Sequence, residues 1–468
     1  MNIKIDNLNV EFEVKRLIDT FHIDEQIDID LFRDDNNIIT KITTKDNKTF
    51  VTESMINNDK DAIAYKKSLF KALKSIYPDT VHPWGILTGI RPVKIAHDLI
   101  KKSFEENEIK RTLSDTYYIS DEKIDLMLEI ANNQSNYLYD IENSYSIYIS
   151  IPFCPSRCNY CSFFSCTLDK GYNLIDPYLD SLEKEIKSFY TNAKILDNKL
   201  LSVYIGGGTP STLSIKQFQR LIKIIETYVP LDYLKEFTFE AGRPDTLDRK
   251  KLEAIKLSPI TRLSINPQSM NDITLKKIGR NHTVSDIINC FNISRDIGYD
   301  NINMDLILGL EDESVDHIRN TLNQIKLLKP DSLTLHTLAL KRASSLMNDF
   351  EDEFSKLNNN NIEDFMKIAS DAARDMGMSP YYLYRQKNIK SNLENTGYAL
   401  DDKISLYNIA IMEEKQTIIA FGSGSISKFI YPLENRIERV SNIKDVKLYI
   451  DRLDQVIKKK NKEVEKWI

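Results

Sequence analysis

Between about Ser146 and Leu340 the chain alternates short apolar runs with stretches of helix length, six times over. The strand candidates are Ile147–Pro152, Leu201–Ile205, Glu236–Glu240, Arg262–Ile265, Asn303–Leu308 and Ser332–Leu338. Helical patterns fill the gaps: Pro177–Phe189, Ile215–Tyr228, Asp248–Leu257, Val284–Ile297 and Val315–Leu328. This alternation predicts an α/β fold with a parallel sheet. Right-handed crossovers would curl such a sheet into a partial (β/α)6 barrel. In that architecture the C-terminal strand ends line the functional site.

The flanks read differently. Residues 1–140 carry strand-like runs, turn signals at Asp34–Asn37 and Asp46–Lys48, and a helix near Asp61–Ile76, which predicts an N-terminal α+β extension. Residues 141–345 form the expected barrel. Residues 346–468 are expected to form a C-terminal α+β domain, with a helix near Ile362–Met376, strands at Tyr381–Tyr384 and Tyr407–Met412, a turn at Gly422–Ser425 and a charged terminal helix.

Directly after the first strand comes Ile151-Pro-Phe-Cys-Pro-Ser-Arg-Cys-Asn-Tyr-Cys161. Its CxxxCxxC spacing offers three thiolates, Cys154, Cys158 and Cys161, to a cluster that has four irons. Three ligands leave one iron open, and an open iron can chelate the amino and carboxylate groups of S-adenosylmethionine. The alternative is structural zinc with Cys166 as fourth ligand, although zinc ligands usually come as two short-spaced pairs separated by a longer loop. Cys290 lies in a helical apolar pattern and reads as core.

Further polar residues fall at the other strand ends. Gly206-Gly-Gly-Thr-Pro210 would let backbone approach a ligand closely. Glu240 ends the third strand, Gln268 follows the fourth, and Arg280 lies twelve residues further on. Asp305 sits inside the fifth strand, where an unpaired charge is costly. Arg243, Arg342 and Arg385 are candidate anchors for anionic groups.

Composition excludes several classes. With 63 basic against 69 acidic residues the net charge is −6, so no general attraction to nucleic acid or anionic membrane follows. No run approaches a membrane span, and five cysteines, four of them clustered, do not make a disulfide framework. A cytoplasmic, reduced, oxygen-sensitive protein is expected.

Taken together, the motifs from roughly Tyr145 to Phe429 resemble the radical S-adenosylmethionine superfamily, and within it the anaerobic coproporphyrinogen III dehydrogenases and their HemW and HemZ relatives. Pro83-Trp-Gly-Ile-Leu-Thr-Gly-Ile-Arg-Pro92, Tyr382-Leu-Tyr-Arg-Gln-Lys-Asn388 and Ile411-Met-Glu-Glu414 look like motifs of the HemZ branch. The resemblance implies one 4Fe-4S cluster on Cys154, Cys158 and Cys161, and one or two S-adenosylmethionine molecules. Tyr148, Tyr160, Gly207, Gly208, Thr209, Glu240, Gln268, Arg280, Asp305, Ala339 and Ile426 match positions that contact those molecules. It further implies oxidative decarboxylation of two propionates of coproporphyrinogen III to vinyl groups, with a reducing protein such as flavodoxin or ferredoxin as partner. Alternatives within reach of the same motifs are haem delivery of the HemW type and a radical methylase acting on tetrapyrroles.

Overall fold

The computed structural model describes the chain except residues 1, 22, 24, 57–59, 90, 192–194, 196, 339–358 and 387–392. The described residues divide into two compact units: Met1–Asn132 with Tyr384–Glu394, and Asn133–Leu383 with Asn395–Ile468.

In the larger unit the six expected strands form and pair in parallel: β1 (Tyr145–Ile151), β2 (Leu200–Gly207), β3 (Glu236–Gly242), β4 (Arg262–Ile265), β5 (Ile302–Leu308) and β6 (Ser332–Thr337). Their residues are buried almost throughout, as expected of parallel strands covered by helices. The covering helices Ile175–Tyr190, Ile215–Tyr228, Arg249–Lys256, Val284–Ile297 and Val315–Leu328 lie close to where the periodicity predicts them. Three of them open on a reciprocal capping box, at Ser214, Thr283 and Ser314.

Among the described residues the sheet does not close. Five further strands extend it: β7 (Ser379–Tyr384), β8 (Asn395–Ala399), β9 (Thr417–Phe421), β10 (Ile426–Tyr431) and β11 (Arg436–Ser441). The order among the described residues is β7-β8-β6-β5-β4-β3-β2-β1-β9-β10-β11. β9 pairs with β1 in parallel, from Thr417 opposite Tyr145 to Phe421 opposite Ile149, so the strand that leads into the cysteine motif is flanked on both sides.

One expectation fails here. Tyr407–Met412 is not a strand but part of a helix, Leu406–Glu413. Ser405 caps it, accepting from Asn408 N, and the buried carboxylate of Glu236 accepts from Ser405 Oγ at 3.0 Å and from Leu406 N at 2.6 Å. An anion against a helix N-terminus satisfies orphan donors and the helix dipole together. That partner lies 170 residues away in sequence, so local apolar content misleads.

A buried ion pair locks the last helix, Leu453–Trp467, to the unit. Glu185 and Lys460 are both about 1% exposed. Glu185 also accepts from Gly422 N, Asn442 Nδ2 and Tyr449 Oη at 2.8, 2.8 and 2.6 Å. With every lone pair used, the carboxylate is compensated despite its burial.

The smaller unit is a four-stranded sheet in sequential order, Asn2–Ile5, Ile27–Asp34, Asn37–Thr44 and Thr49–Met55, with the first pair parallel and the rest antiparallel. Helices Glu11–Asp19 and Asp61–Ile76 contribute Val14, Leu17, Leu69 and Leu73 to the core against Ile29, Leu31 and Ile42. The Trp84 segment and Arg385 meet in this unit. Arg385 is buried, donates to Leu87 O at 2.5 Å and lies 5.3 Å from the Trp84 ring centroid. Glu394 accepts from Trp84 Nε1 and Lys123 Nζ.

Candidate functional site

The cysteine motif lies at the C-terminal end of β1 and is packed directly against the glycine turn that ends β2. Gly208 N donates to Ile151 O at 2.9 Å and Thr209 N donates to Phe153 O at 2.7 Å. Thr209 Oγ1 donates to Cys154 Sγ at 3.5 Å. A Cβ at position 208 would lie 2.7 Å from Phe153 O and 3.0 Å from Cys154 Sγ, so only glycine fits there. Gly207 has a left-handed φ of 111°, a second reason for glycine in this turn. At Gly206 an added Cβ would meet Glu240 Oε2, Tyr204 and Tyr148 Oη, which shows how tightly those side chains converge.

Burial pushes the Cys154 thiol up and the Cys161 thiol up to about 11, and the nearby charge of Cys158 adds to both. Among the described residues no three His, Cys, Asp or Glu side chains converge closely enough to hold a single metal ion. A cluster makes no such demand, because each thiolate ligates a different iron.

Two carboxylates face the same region with opposite tendencies. Burial pushes Glu240 up to about 8, and the charge of Asp305 adds to it; a Gly207 backbone hydrogen bond and the Arg280 charge oppose. Burial would raise Asp305 as well, but His336 and Asn303 outweigh it and hold the carboxyl below its usual range. Asn303 Nδ2 donates to Asp305 Oδ1 at 2.7 Å, and His336 Nε2 lies 3.7 Å from Oδ2. One group is thus proton-retaining and the other ionised, a contrast common at functional sites.

Arg280 is drawn to the cysteine loop. Its Nη2 donates to Tyr160 Oη at 3.1 Å and its Nη1 donates to Asn266 O at 2.5 Å. Gln268 is buried in left-handed backbone at φ 69°, and its Oε1 has no hydrogen-bond partner. Such an unsatisfied acceptor in strained backbone marks a place where a ligand could bind. Tyr148 stacks with Tyr204 and Tyr407, at centroid separations of 5.9 and 6.2 Å. Ile426 opens β10 and is 47% exposed, just past the Gly422–Ser425 turn. Ala339 and Arg342 lie outside the described residues.

The structure corrects the reading of Arg243. It offers no free anchor to an anion, since Asp245 takes its Nε and Nη2 at 3.0 and 2.6 Å. Arg385 is likewise engaged with Leu87 and Trp84. Tyr204, Tyr407, His336 and Asn303 are site neighbours that the sequence does not single out. Cys166 pairs through β-structure with Phe153 beside the loop, and its thiol faces Thr167 O at 3.7 Å.

Comparison with known proteins bears on the family and the fold. A family model described as the radical SAM superfamily matches residues 148–325. The chain is 39% identical over 410 residues, 87% of its own length and 81% of the relative's, to the oxygen-independent coproporphyrinogen-III oxidase-like protein HemZ of Bacillus subtilis. It is 36% identical over 197 residues to the heme chaperone HemW of the same organism, spanning about half of that protein's length. The solved structure of coproporphyrinogen III oxidase HemN from Escherichia coli, described as a radical SAM enzyme, has the same fold: TM-score 0.53 at 20% identity, covering 69% of this chain and 72% of that one. The chain belongs to the radical S-adenosylmethionine superfamily, in its HemN, HemW and HemZ group. The family's cofactors are a 4Fe-4S cluster and S-adenosylmethionine, and the three-cysteine loop with its abutting glycine turn fits them. No described helix is long and apolar enough to cross a membrane.

Proposed function

We propose that the chain is an oxygen-independent coproporphyrinogen III dehydrogenase, converting two propionate side chains to vinyl groups. The observation that carries this reading is the packing of the Cys154–Cys161 loop against the Gly206–Thr209 turn, beside Glu240 and Asp305, in a chain resembling HemZ over most of its length. Cys154, Cys158 and Cys161 would hold three irons. When bound, the cluster and S-adenosylmethionine supply one-electron cleavage of a sulfonium C–S bond and hence a carbon radical able to abstract hydrogen.

The chain's own residues then position and exclude. Gly207, Gly208 and Thr209 leave backbone exposed to the methionine part. Glu240, neutral when unliganded, can give up its proton to face an ammonium group. Asp305, kept ionised by Asn303 and His336, suits ribose hydroxyls or a second cationic ligand. Gln268 and Arg280 add an amide acceptor and a buried cation, Tyr148 and Tyr160 flank, and Ile426 provides apolar contact. Each propionate would lose one β-hydrogen atom, one carbon dioxide and one electron.

The HemW similarity supports a second reading, haem delivery. One experiment separates them. Reconstituted chain, incubated without oxygen with reductant, S-adenosylmethionine and coproporphyrinogen III, is expected to yield 5′-deoxyadenosine, carbon dioxide and a divinyl product by mass spectrometry. Adenosine formation without decarboxylation would reject the substrate, and stable haem binding without turnover would favour delivery. Transfer of the S-adenosylmethionine methyl group to the tetrapyrrole would point to a methylase.

A further inference from the structure

Arg243 follows β3 and is only 3% exposed. A buried guanidinium is costly unless its donors are all matched. Asp245 takes one side of the fork, as described above. The remaining nitrogen, Nη1, reaches into the cysteine loop: it donates to Ser156 Oγ at 2.9 Å and to Ser156 O at 3.2 Å, and lies 4.0 Å from Cys158 Sγ.

Asp245 also has a close neighbour on a second side. The buried His282 places Nδ1 3.4 Å from Asp245 Oδ1. Burial alone would raise the Asp245 carboxyl, yet His282 and Arg243 hold it well below its usual range. His282, Asp245 and Arg243 therefore form a chain of contacts that ends on a cysteine sulfur. Arg280 brings a second buried guanidinium to the same loop, donating to Tyr160 Oη at 3.1 Å. Cys154, by contrast, receives the neutral hydroxyl of Thr209.

We propose that Arg243 is a positioning residue that holds the cysteine loop through Ser156 and raises the reduction potential of the cluster by setting positive charge against the Cys158 sulfur, with Asp245 fixing its orientation. This rests on the cysteine loop holding the cluster, as proposed above. The physical basis is general. An added electron increases negative charge on the cluster and its sulfurs, and donors or cations at those sulfurs stabilise the reduced form more than the oxidised one. Arginine suits the task because its planar fork is oriented by one carboxylate while its other edge stays committed elsewhere.

The test compares wild type, Arg243→Lys and Arg243→Gln after anaerobic reconstitution. Iron and sulfide content are measured first, then the midpoint potential of the cluster by spectroscopically monitored redox titration, without substrate. At equal iron content the potential is expected to shift negative in both variants, further for glutamine than for lysine. A wild-type potential in Arg243→Gln overturns the proposal. Should that variant fail to fold, Arg243→Lys carries the test, and an unshifted potential there overturns it equally. Wild-type chain that takes up no iron and sulfide would sink the underlying cluster reading instead, before any variant is compared.

Discussion

Thr209 donates its hydroxyl to Cys154 Sγ across 3.5 Å, and by that contact the turn after the second strand is fastened to the loop after the first. The two motifs, about fifty residues apart in sequence, therefore act as one rigid element.

That rigidity can be tested at Gly208. A methyl group there would press on Phe153 backbone at 2.7 Å and on Cys154 Sγ at 3.0 Å, and backbone cannot swing aside as a side chain can. Gly208→Ala is expected to cost about 1–3 kcal/mol of stability and to lower iron retained after anaerobic reconstitution. Thermal unfolding and iron analysis of the same sample check both.

Replacement of Cys154, Cys158 or Cys161 by Ala is expected to abolish cluster assembly and reductive cleavage of S-adenosylmethionine, because metal affinity depends on a complete ligand set. Cys166→Ala should retain iron and chromophore. Iron content that collapses in the Cys166 variant would show that the ligand assignment is wrong.

Glu240 gives a pH dependence. Its carboxyl keeps its proton up to about 8 instead of the ordinary 4.5. Below that pH a ligand ammonium must displace the proton, so affinity for S-adenosylmethionine should rise with pH, by up to about tenfold per unit, and level off above the raised value. Anaerobic calorimetry across the range, with Glu240→Gln as the flat control, measures this. Stability moves the other way: the native state holds a proton that the unfolded chain releases, so this group's contribution falls as pH rises from 4.5 to about 8.

Lys460→Met would leave Glu185 buried without its cation. Breaking one partner of a buried pair costs about 3–5 kcal/mol, and denaturant unfolding should show a loss of that order. A loss below about 1 kcal/mol would mean that the hydrogen bonds from Gly422, Asn442 and Tyr449 suffice alone.

The central strands and helices are legible because their burial pattern is local: apolar runs of strand length alternate with helical periods and capping residues. The cysteine loop and glycine turn are legible for the same reason, since each is a short contiguous motif. Leu406–Glu413 is misread because its helix is fixed by Glu236, far away in the chain. Arg243 reads as an anion anchor although Asp245, two residues on, takes most of its fork, and nothing local shows that Ser156, eighty-seven residues earlier, takes the rest. The extension of the sheet beyond β1 is hidden for a like reason: β9 is an ordinary apolar pentapeptide whose parallel partner lies some 270 residues back.

The β9 strand has a consequence for anyone who shortens this protein. Removing the last seventy or so residues would strip one neighbour from β1 and bare a row of unpaired amide and carbonyl groups on a ribbon that is otherwise almost wholly buried. Such a rim invites other chains to add themselves to it. A trimmed version would tend to clump, and the cysteine loop would then hang from the fringe of the sheet instead of from its interior.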